Sequence, residues 1–225
     1  MMVIRTARVR GTAILAAALL LLPGIAARLA AQVPGGCNQP VRQRQGEMGC
    51  FLVASVPVDS LPAGAVFWHV YNYSTRQAAE SARRASGTVV ESFGRVWLYT
   101  IADSSWRPAS GTRVAVIGPL PVDHHARYTA RYLETVTIRG MQSLIHRHAG
   151  PEAWYMLSGT QCLETPGGTR VARAGQSAFV PGGTPMLLGT VGSQTRRAVV
   201  LVLHDRTQPW MTQASDWTPK GLCGR

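Results

Sequence analysis

The second half of the chain is a run of short strand-like segments separated by turn residues. Segments rich in apolar and β-branched residues recur at 114–117, 129–138, 143–148, 153–157, 161–164, 170–173, 177–180, 186–190 and 197–204. Turns such as Pro166-Gly167-Gly168 separate them, and no clear helical pattern interrupts the series. Short strands at regular spacing predict an antiparallel sandwich or barrel, and the length suits a small jelly roll.

The composition is that of a folded chain with a basic excess. Of the 225 residues, 46% are hydrophobic and 15% are charged, which is too apolar for a disordered protein. The formal charge is +12, and 19 basic against 11 acidic residues remain after residue 32. The arginines are scattered and form no basic stripe, so we do not expect nucleic-acid binding.

Residues 1–31 have the plan of a secretory signal peptide. Arg5, Arg8 and Arg10 form a basic start, an apolar stretch follows over 13–22, and small residues lead to a candidate cleavage site after Ala31. The apolar stretch is shorter than the ~20 residues of a membrane-spanning helix. We therefore predict export to the periplasm or the extracellular space, without a membrane anchor after cleavage. A retained anchor is the alternative.

Export determines how the four cysteines are interpreted. Cys37, Cys50, Cys162 and Cys223 are even in number and contain no C-x-x-C pair. In an oxidising compartment two disulfides are the default. Three connectivities are open. We favour Cys37 with Cys50 and Cys162 with Cys223, while Cys37 with Cys223, or an unpaired Cys162, are alternatives.

Residues 32–110 predict a small N-terminal β-α-β-β extension. A strand is expected at 66–71, a helix at 76–85 with Thr75 as its N-cap, and further strands at 88–91 and 96–101. His69 is a lone histidine in the first of these strands. We expect it to be a packed structural residue rather than a ligand.

One group of residues in the second half has metal-binding chemistry. His146 and His148 lie two residues apart in a predicted strand, so both imidazoles point to one face. The turn at 149–151 then returns the chain and places Glu152 beside them. Two imidazole nitrogens and one carboxylate predict a site for a divalent transition metal, with Fe, Mn, Ni, Cu and Zn all open.

This segment resembles the first motif of the cupins. The motif is a glycine, five residues, His-x-His, a glutamate and, after six residues, a glycine, and it is matched here by Gly140, His146, His148, Glu152 and Gly159. The resemblance covers about residues 111–206, and it implies a mainly β, cupin-type antiparallel β-barrel (jelly roll). Residues 207–225 are left as a C-terminal tail.

The second cupin motif is only partly present. Its opening matches at Gly175 and at 181–183, but Met186 stands at the position of its histidine and Thr190 at that of its asparagine. In metal-binding cupins the ligands are the first-motif residues and that missing histidine. The resemblance therefore implies His146, His148 and Glu152 as the metal ligands here.

Several neighbouring residues have less certain roles. Met186 is expected to line an apolar pocket wall. Trp154 and Met156 share strand parity with Glu152, which predicts either a wall of the site or ordinary core. Further candidates for the site are His204 and the pair His124-His125, and the tail is expected to pack on the surface through its tryptophans, with a lid as the alternative.

The sequence leaves more than one class of function open. The preferred prediction is an exported, metal-binding cupin of unassigned activity that takes a small-molecule ligand or substrate and can form a homodimer. One alternative is a metal-dependent dioxygenase or isomerase acting on a small organic molecule. Others are a metal-free small-molecule-binding module without catalysis and a structural scaffold. Because burying two imidazoles and a carboxylate without partners is costly, we favour a bound ion.

Overall fold

The computed structural model describes residues 31–32 and 36–224, so residues 1–30 of the predicted signal peptide lie outside the described part. The chain is mostly β-strand, with one α-helix, α1 (Arg76–Ala82), and two short 3-10 helices at Val41–Gln43 and Leu222–Gly224. The strands are β1 (Ala31–Gln32), β2 (Gly49–Val58), β3 (Val66–Tyr73), β4 (Gly87–Ser92), β5 (Arg95–Ala102), β6 (Thr112–Leu120), β7 (Tyr128–Thr137), β8 (Met141–Gln142), β9 (His146–Arg147), β10 (Glu152–Ser158), β11 (Thr160–Thr165), β12 (Gly168–Arg173), β13 (Ser177–Val180), β14 (Leu187–Val191), β15 (Arg196–Asp205) and β16 (Thr212–Gln213).

Two five-stranded sheets pack against each other to form the larger unit. Their strand orders are β1-β8-β14-β11-β12 and β13-β10-β15-β7-β2, and every pairing within them is antiparallel except β1 with β8. A buried apolar cluster joins the two sheets, with Leu163 from the first and Trp154 and Val200 from the second. Within the described residues no ladder connects the two sheets, so their hydrogen bonding does not close into a continuous barrel.

Strand β15 shows why the centre of the second sheet is apolar throughout. Nearly all of Arg196–Asp205 is buried, although neighbouring side chains of a strand point to opposite faces. Val200 and Val202 belong to the cluster between the two large sheets, whereas Leu201 and Leu203 belong to a second cluster on the other side. A strand covered on both faces needs no polar alternation.

The second cluster is covered by a four-stranded sheet of order β4-β5-β3-β6. Its centre is aromatic: Trp68 contacts Tyr99 edge to face with ring centroids 5.3 Å apart, and Tyr99 lies 4.9 Å from Tyr132 of β7. The side chain of Thr75 accepts a hydrogen bond from the Ala78 amide and caps α1, as the sequence predicts. His69 is fully buried in this sheet and packs against Trp106.

Strand pairing crosses the predicted division at residue 110 in both directions. Strand β2, which the sequence analysis did not identify, lies within 32–110 but pairs with β7 of the large unit. Strand β6 lies after residue 110 but pairs with β3 of the small sheet. The strand pattern alone does not specify a hydrogen-bonding partner. The apolar run at 114–117 therefore predicted a strand correctly but could not predict which sheet the strand joins.

Both preferred disulfides are present in the structure. Cys37 is bonded to Cys50 and Cys162 to Cys223. The first joins the start of the described chain to β2, and the second joins β11 to the tail. No helix in the described part of the chain has the length and apolar character needed to cross a membrane.

Candidate metal centre

The three predicted ligands come from a short strand, a turn and the strand that follows. The expected strand at 143–148 is reduced to β9 (His146–Arg147), because the chain there pairs only with the two-residue β16 and through a bridge to Met186. Gly150 in the turn has φ +158°, and a Cβ at this position would meet the Leu203 carbonyl oxygen at 2.0 Å. This close approach fixes the turn against β15 and sets where β10 begins.

His146, His148 and Glu152 converge in the interior. One ligand atom from each of the three residues lies within 4.8 Å of the others, and all three residues are at most 5% exposed. The two imidazole ring centroids are 4.9 Å apart, and His148 Nε2 lies 3.6 Å from Glu152 Oε2. At that length the contact is not a hydrogen bond.

Backbone carbonyls orient both imidazoles. Nδ1 of His146 lies 2.7 Å from the Leu144 carbonyl oxygen, and Nδ1 of His148 lies 2.7 Å from the Trp210 carbonyl oxygen. Because a carbonyl oxygen only accepts hydrogen bonds, each Nδ1 carries a proton, and Nε2 is the ring nitrogen left for a cation. Metal-bound histidines are commonly held in this way.

Glu152 is incompletely paired, unlike another buried glutamate. Its Oε2 is buried and has no hydrogen-bond partner among the described residues. Glu164, in contrast, accepts backbone hydrogen bonds on both oxygens, from Lys220 and from Leu222. A buried carboxylate oxygen without a donor is costly, so this atom is suited to accept a positive partner.

The surroundings of His146 and Glu152 shift both pKa values in the direction that a cation site requires. Burial lowers the pKa of His146, so that its imidazole is neutral at neutral pH. Burial acts to raise the pKa of Glu152, but the neighbouring His148, His146 and Arg196 side chains outweigh that effect and leave the pKa below its usual value. The carboxylate is therefore ionised. Two imidazole nitrogens and one carboxylate fit a first-row divalent metal.

A cavity of about 110 Å³ opens beside these ligands. On the order of 10–15 Å³ holds one water, so the space admits several waters or a small organic molecule. Apolar side chains form most of its wall, and its polar part includes Gln161 and Arg196, which the sequence analysis did not single out. No local motif marks these two residues, because β-pairing brings them to the site from β11 and β15.

The C-terminal tail forms part of this wall. Trp210 and Met211 line the cavity, and the Trp210 ring stacks on His148 with centroids 5.4 Å apart. The Arg131 guanidinium also lies over the indole of Trp210, 4.4 Å from the ring centroid. The tail was expected to pack on the surface through its tryptophans, with a lid as the alternative, and Trp210 and Met211 also form part of the cavity wall. Its backbone accepts a hydrogen bond from His148, one of the three predicted ligands.

The remaining candidates lie elsewhere. Met186, Trp154 and Met156 belong to the buried cluster between the sheets and are not among the described residues that line the cavity. For Met186 ordinary core replaces the expected pocket wall, whereas for Trp154 and Met156 the core alternative holds. His204 donates Nδ1–H to the Asp205 carbonyl, outside the three-ligand group. The His124-His125 pair lies in an exposed turn.

Two facing sheets enclose the His-x-His pair, which lies on and just after β9, and Glu152 at the start of β10, and this matches the arrangement that the first motif implies. The double sheet has the cupin fold. Thr190, at the position of the missing asparagine, lines the cupin cavity, and its hydroxyl is 2.6 Å from that of Thr137. The backbone of Met186 exchanges two hydrogen bonds with His146, so the second-motif strand is in place although its histidine is not.

Comparison with solved structures finds cupins. The chain is similar to a cupin-like protein from Thermotoga maritima (13% identity, TM-score 0.35, covering 38% of this chain and 64% of that one). It is also similar to the DMSP lyase DddQ from Ruegeria pomeroyi (20% identity, TM-score 0.34, covering 38% of this chain and 43% of that one). A third similar structure is an uncharacterized protein with a double-stranded β-helix domain from Klebsiella pneumoniae (16% identity, TM-score 0.35, covering 44% of this chain and 80% of that one). Each match spans less than half of this chain. No protein-family model and no curated protein matches it.

Proposed function

We propose that the cupin domain binds a divalent transition metal through His146, His148 and Glu152, and that the protein works as an exported metal-binding cupin with a small-molecule ligand. The observation that carries this proposal is the buried Glu152 Oε2, which has no donor among the described residues and faces two imidazoles. A metal bound there would supply Lewis acidity and open positions for a ligand. The activity remains unassigned.

The chain's own residues would prepare the site for the ion. The Leu144 and Trp210 carbonyls hold the imidazoles with Nε2 unprotonated, and the ionised Glu152 offers the negative charge. The apolar wall of the cavity limits access of bulk water to these groups. Ligand orientation and low local polarity both raise the affinity of such a site for a metal.

Export is part of the proposal. Two disulfides fit an oxidising compartment, and they agree with the signal-peptide pattern of residues 1–31. We expect the mature protein in the periplasm or outside the cell. A fusion of residues 1–31 to a reporter that is active only after export tests this: reporter activity supports export, and a cytoplasmic reporter contradicts it.

Elemental analysis tests the metal site. The mature protein is purified from an oxidising compartment, stripped with a chelator, and reconstituted separately with Fe²⁺, Mn²⁺, Ni²⁺, Cu²⁺ or Zn²⁺. We expect close to stoichiometric metal in the native protein and loss of that metal in the double variant His146→Ala/His148→Ala. The variant His124→Ala/His125→Ala also removes two histidines, but from the exposed turn, and should keep the metal.

The two double variants separate the possible results. Loss of metal in the first alone supports the proposed ligands. Equal and negligible metal in the native protein and in both variants, after reconstitution with every ion, would favour the metal-free small-molecule-binding module instead. Circular dichroism of each variant establishes that the sheets are intact.

A further inference from the structure

Two buried polar side chains line the cavity and take no part in the three-ligand set. Gln161 is 1% exposed and Arg196 is 6% exposed. Among the described residues, Nε2 and Oε1 of Gln161 and Nε of Arg196 have no hydrogen-bond partner. The one side-chain bond of Arg196 is from Nη1 to the Thr135 hydroxyl, at 2.8 Å.

Unpartnered polar groups are rare in protein interiors, because each one loses its hydrogen bonds to water on burial. Gln161 lies on β11 opposite Ala172 and Thr190, whose side chains give its amide no bond. Its amide offers one acceptor and two donor hydrogens. Gln161 is thus suited to bind a hydroxyl or carbonyl group of a ligand.

The charge of the cavity favours an anion. Glu152 and Arg196 are the only acidic and basic side chains other than histidine among the described lining residues, and their charges cancel. Burial lowers the pKa of Arg196 to about 10, which leaves the guanidinium protonated at neutral pH. A divalent ion on the three ligands would add two positive charges. A positive, water-poor cavity attracts anionic ligands.

The fork of donors on a guanidinium matches a carboxylate in particular. In this cavity the apolar side chains of Leu133, Leu188 and Val200 offer contact for a short carbon skeleton, and the volume is about 110 Å³. A small organic acid therefore fits the size, the walls and the charge together. A neutral molecule of the same shape leaves Arg196 without a counter-charge.

We propose that the cupin cavity binds a small organic carboxylate, with its carboxylate on the Arg196 side and a second polar group at Gln161. This inference rests on the proposed metal site for part of its positive charge. Arg196 and Gln161 would then be the ligand-binding residues. Because Arg196 is charged, the cavity would select acids over neutral molecules.

The test uses the mature protein loaded with Zn²⁺, which has no redox chemistry. Isothermal titration with glycolate and with its neutral counterpart glycolamide measures whether the carboxylate matters. We expect glycolate to bind about tenfold more tightly, or more, because hydrogen bonds to charged groups are the stronger ones. Equal affinity for the two probes would overturn the proposal.

Variants assign the preference to particular residues. Arg196→Gln should weaken glycolate binding about tenfold or more. Arg197→Gln is the matched control, since Arg197 is the next residue, points to the other face and lies 3.5 Å from surface Glu47. It should leave glycolate binding unchanged. Should Arg196→Gln fail to fold, Gln161→Glu keeps the arginine and puts a negative charge at the cavity, and unchanged glycolate affinity in this variant would overturn the proposal.

Zinc content, measured on every sample, separates this inference from the proposed metal function. Full zinc with no preference for glycolate overturns the carboxylate proposal and leaves the metal site standing. If no zinc is retained, the titration is repeated with an ion that is retained; if none of the five ions is retained, the metal proposal fails, and the titration is repeated on the metal-free protein. Glycolate binding that needs Arg196 would then support the carboxylate site alone, and no binding would overturn it as well.

Discussion

Glu134 and Glu152 are both buried in the same five-stranded sheet, but their surroundings differ. Glu134 pairs with Val199 and faces the small sheet, whereas Glu152 pairs with Val202 and faces the cupin cavity. One carboxylate is saturated by protein donors and the other is not. Burial alone therefore does not identify a ligand; the hydrogen-bond count around each oxygen does.

The saturated site can be described group by group. Glu134 accepts a hydrogen bond from the Arg44 guanidinium at 2.6 Å, from the Ser92 hydroxyl at 2.7 Å and from the Phe93 amide at 3.3 Å. Such a carboxylate ties β7 to the β4–β5 hairpin, and both of its oxygens already have protein donors. The role of Glu134 is structural. Comparing substitutions at Glu134 and Glu152 therefore separates effects on folding from effects on metal binding.

The largest expected effect is on metal affinity. Glu152→Gln keeps the shape of the side chain but removes the charge and one strong ligand, so metal affinity should fall by at least the 10–100-fold typical of lost supporting interactions. Glu134→Gln should leave affinity unchanged. Competition with a chromophoric chelator measures both, and an equal loss in the two variants would show that the effect is on folding rather than on ligation.

The second prediction concerns the turns beside the two sites. Gly150→Ala places a methyl group against the Leu203 carbonyl and should lower the free energy of unfolding by about 3 kcal/mol, at the upper end of ordinary substitutions. Gly94, in the hairpin next to the Glu134 site, has φ +67° and open space around it. Gly94→Ala should cost only the backbone conformation, about 1 kcal/mol. Urea unfolding of both variants gives the two values, and equal losses would contradict the role assigned to the Gly150 turn.

The third prediction is the stability effect at the saturated carboxylate. Glu134→Gln loses charge-assisted hydrogen bonds and should lower the free energy of unfolding by about 2 kcal/mol. Part of the Arg44 contribution is screened, since its side chain is 39% exposed. In chelator-treated protein Glu152→Gln should lower stability less, because Oε2 has no donor to lose. A larger loss at Glu152 than at Glu134 would reverse the comparison.

The smallest effect is on the pH dependence of the metal-free protein. Burial holds the pKa of His146 below its usual 6.5, so the unfolded chain binds a proton more readily than the folded one. The stability from this group is present above pH 6.5 and is lost as the pH falls through the folded pKa. Thermal unfolding between pH 8 and 5 should be less pH-dependent in His146→Gln than in the native protein. Identical profiles would argue against a buried neutral imidazole.

The sequence predicts those residues of the site that lie close together along the chain, but not those that come from distant segments. His146, His148 and Glu152 follow from local rules, because the alternation of a strand and one turn place all three. Gln161 and Arg196 reach the cavity through β-pairing between distant segments, and nothing in their immediate neighbours marks them. Side-chain alternation predicts which residues of one strand share a face of the sheet, but it does not predict which strand lies opposite that face.

The fold, too, was predicted from local patterns but not from the pairing of distant segments. The turn-separated strands and both disulfides were predicted, and the mainly antiparallel sheets with the cupin fold are confirmed. Strand β2 was missed because it mixes small residues with Pro57 and shows little alternation. Met186 was expected at the cavity because of its motif position, but the actual strand geometry turns it into the apolar core.

The hydrogen bond from His148 to the Trp210 carbonyl has a consequence for biosynthesis. Its two partners are 62 positions apart, so a nascent chain that has just released the His-x-His segment still lacks the atom that fixes the second imidazole. At ordinary translation rates that interval lasts roughly 3–12 s. If the site takes up a metal ion as proposed, an ion captured before the tail has docked would meet a second imidazole that is not yet oriented.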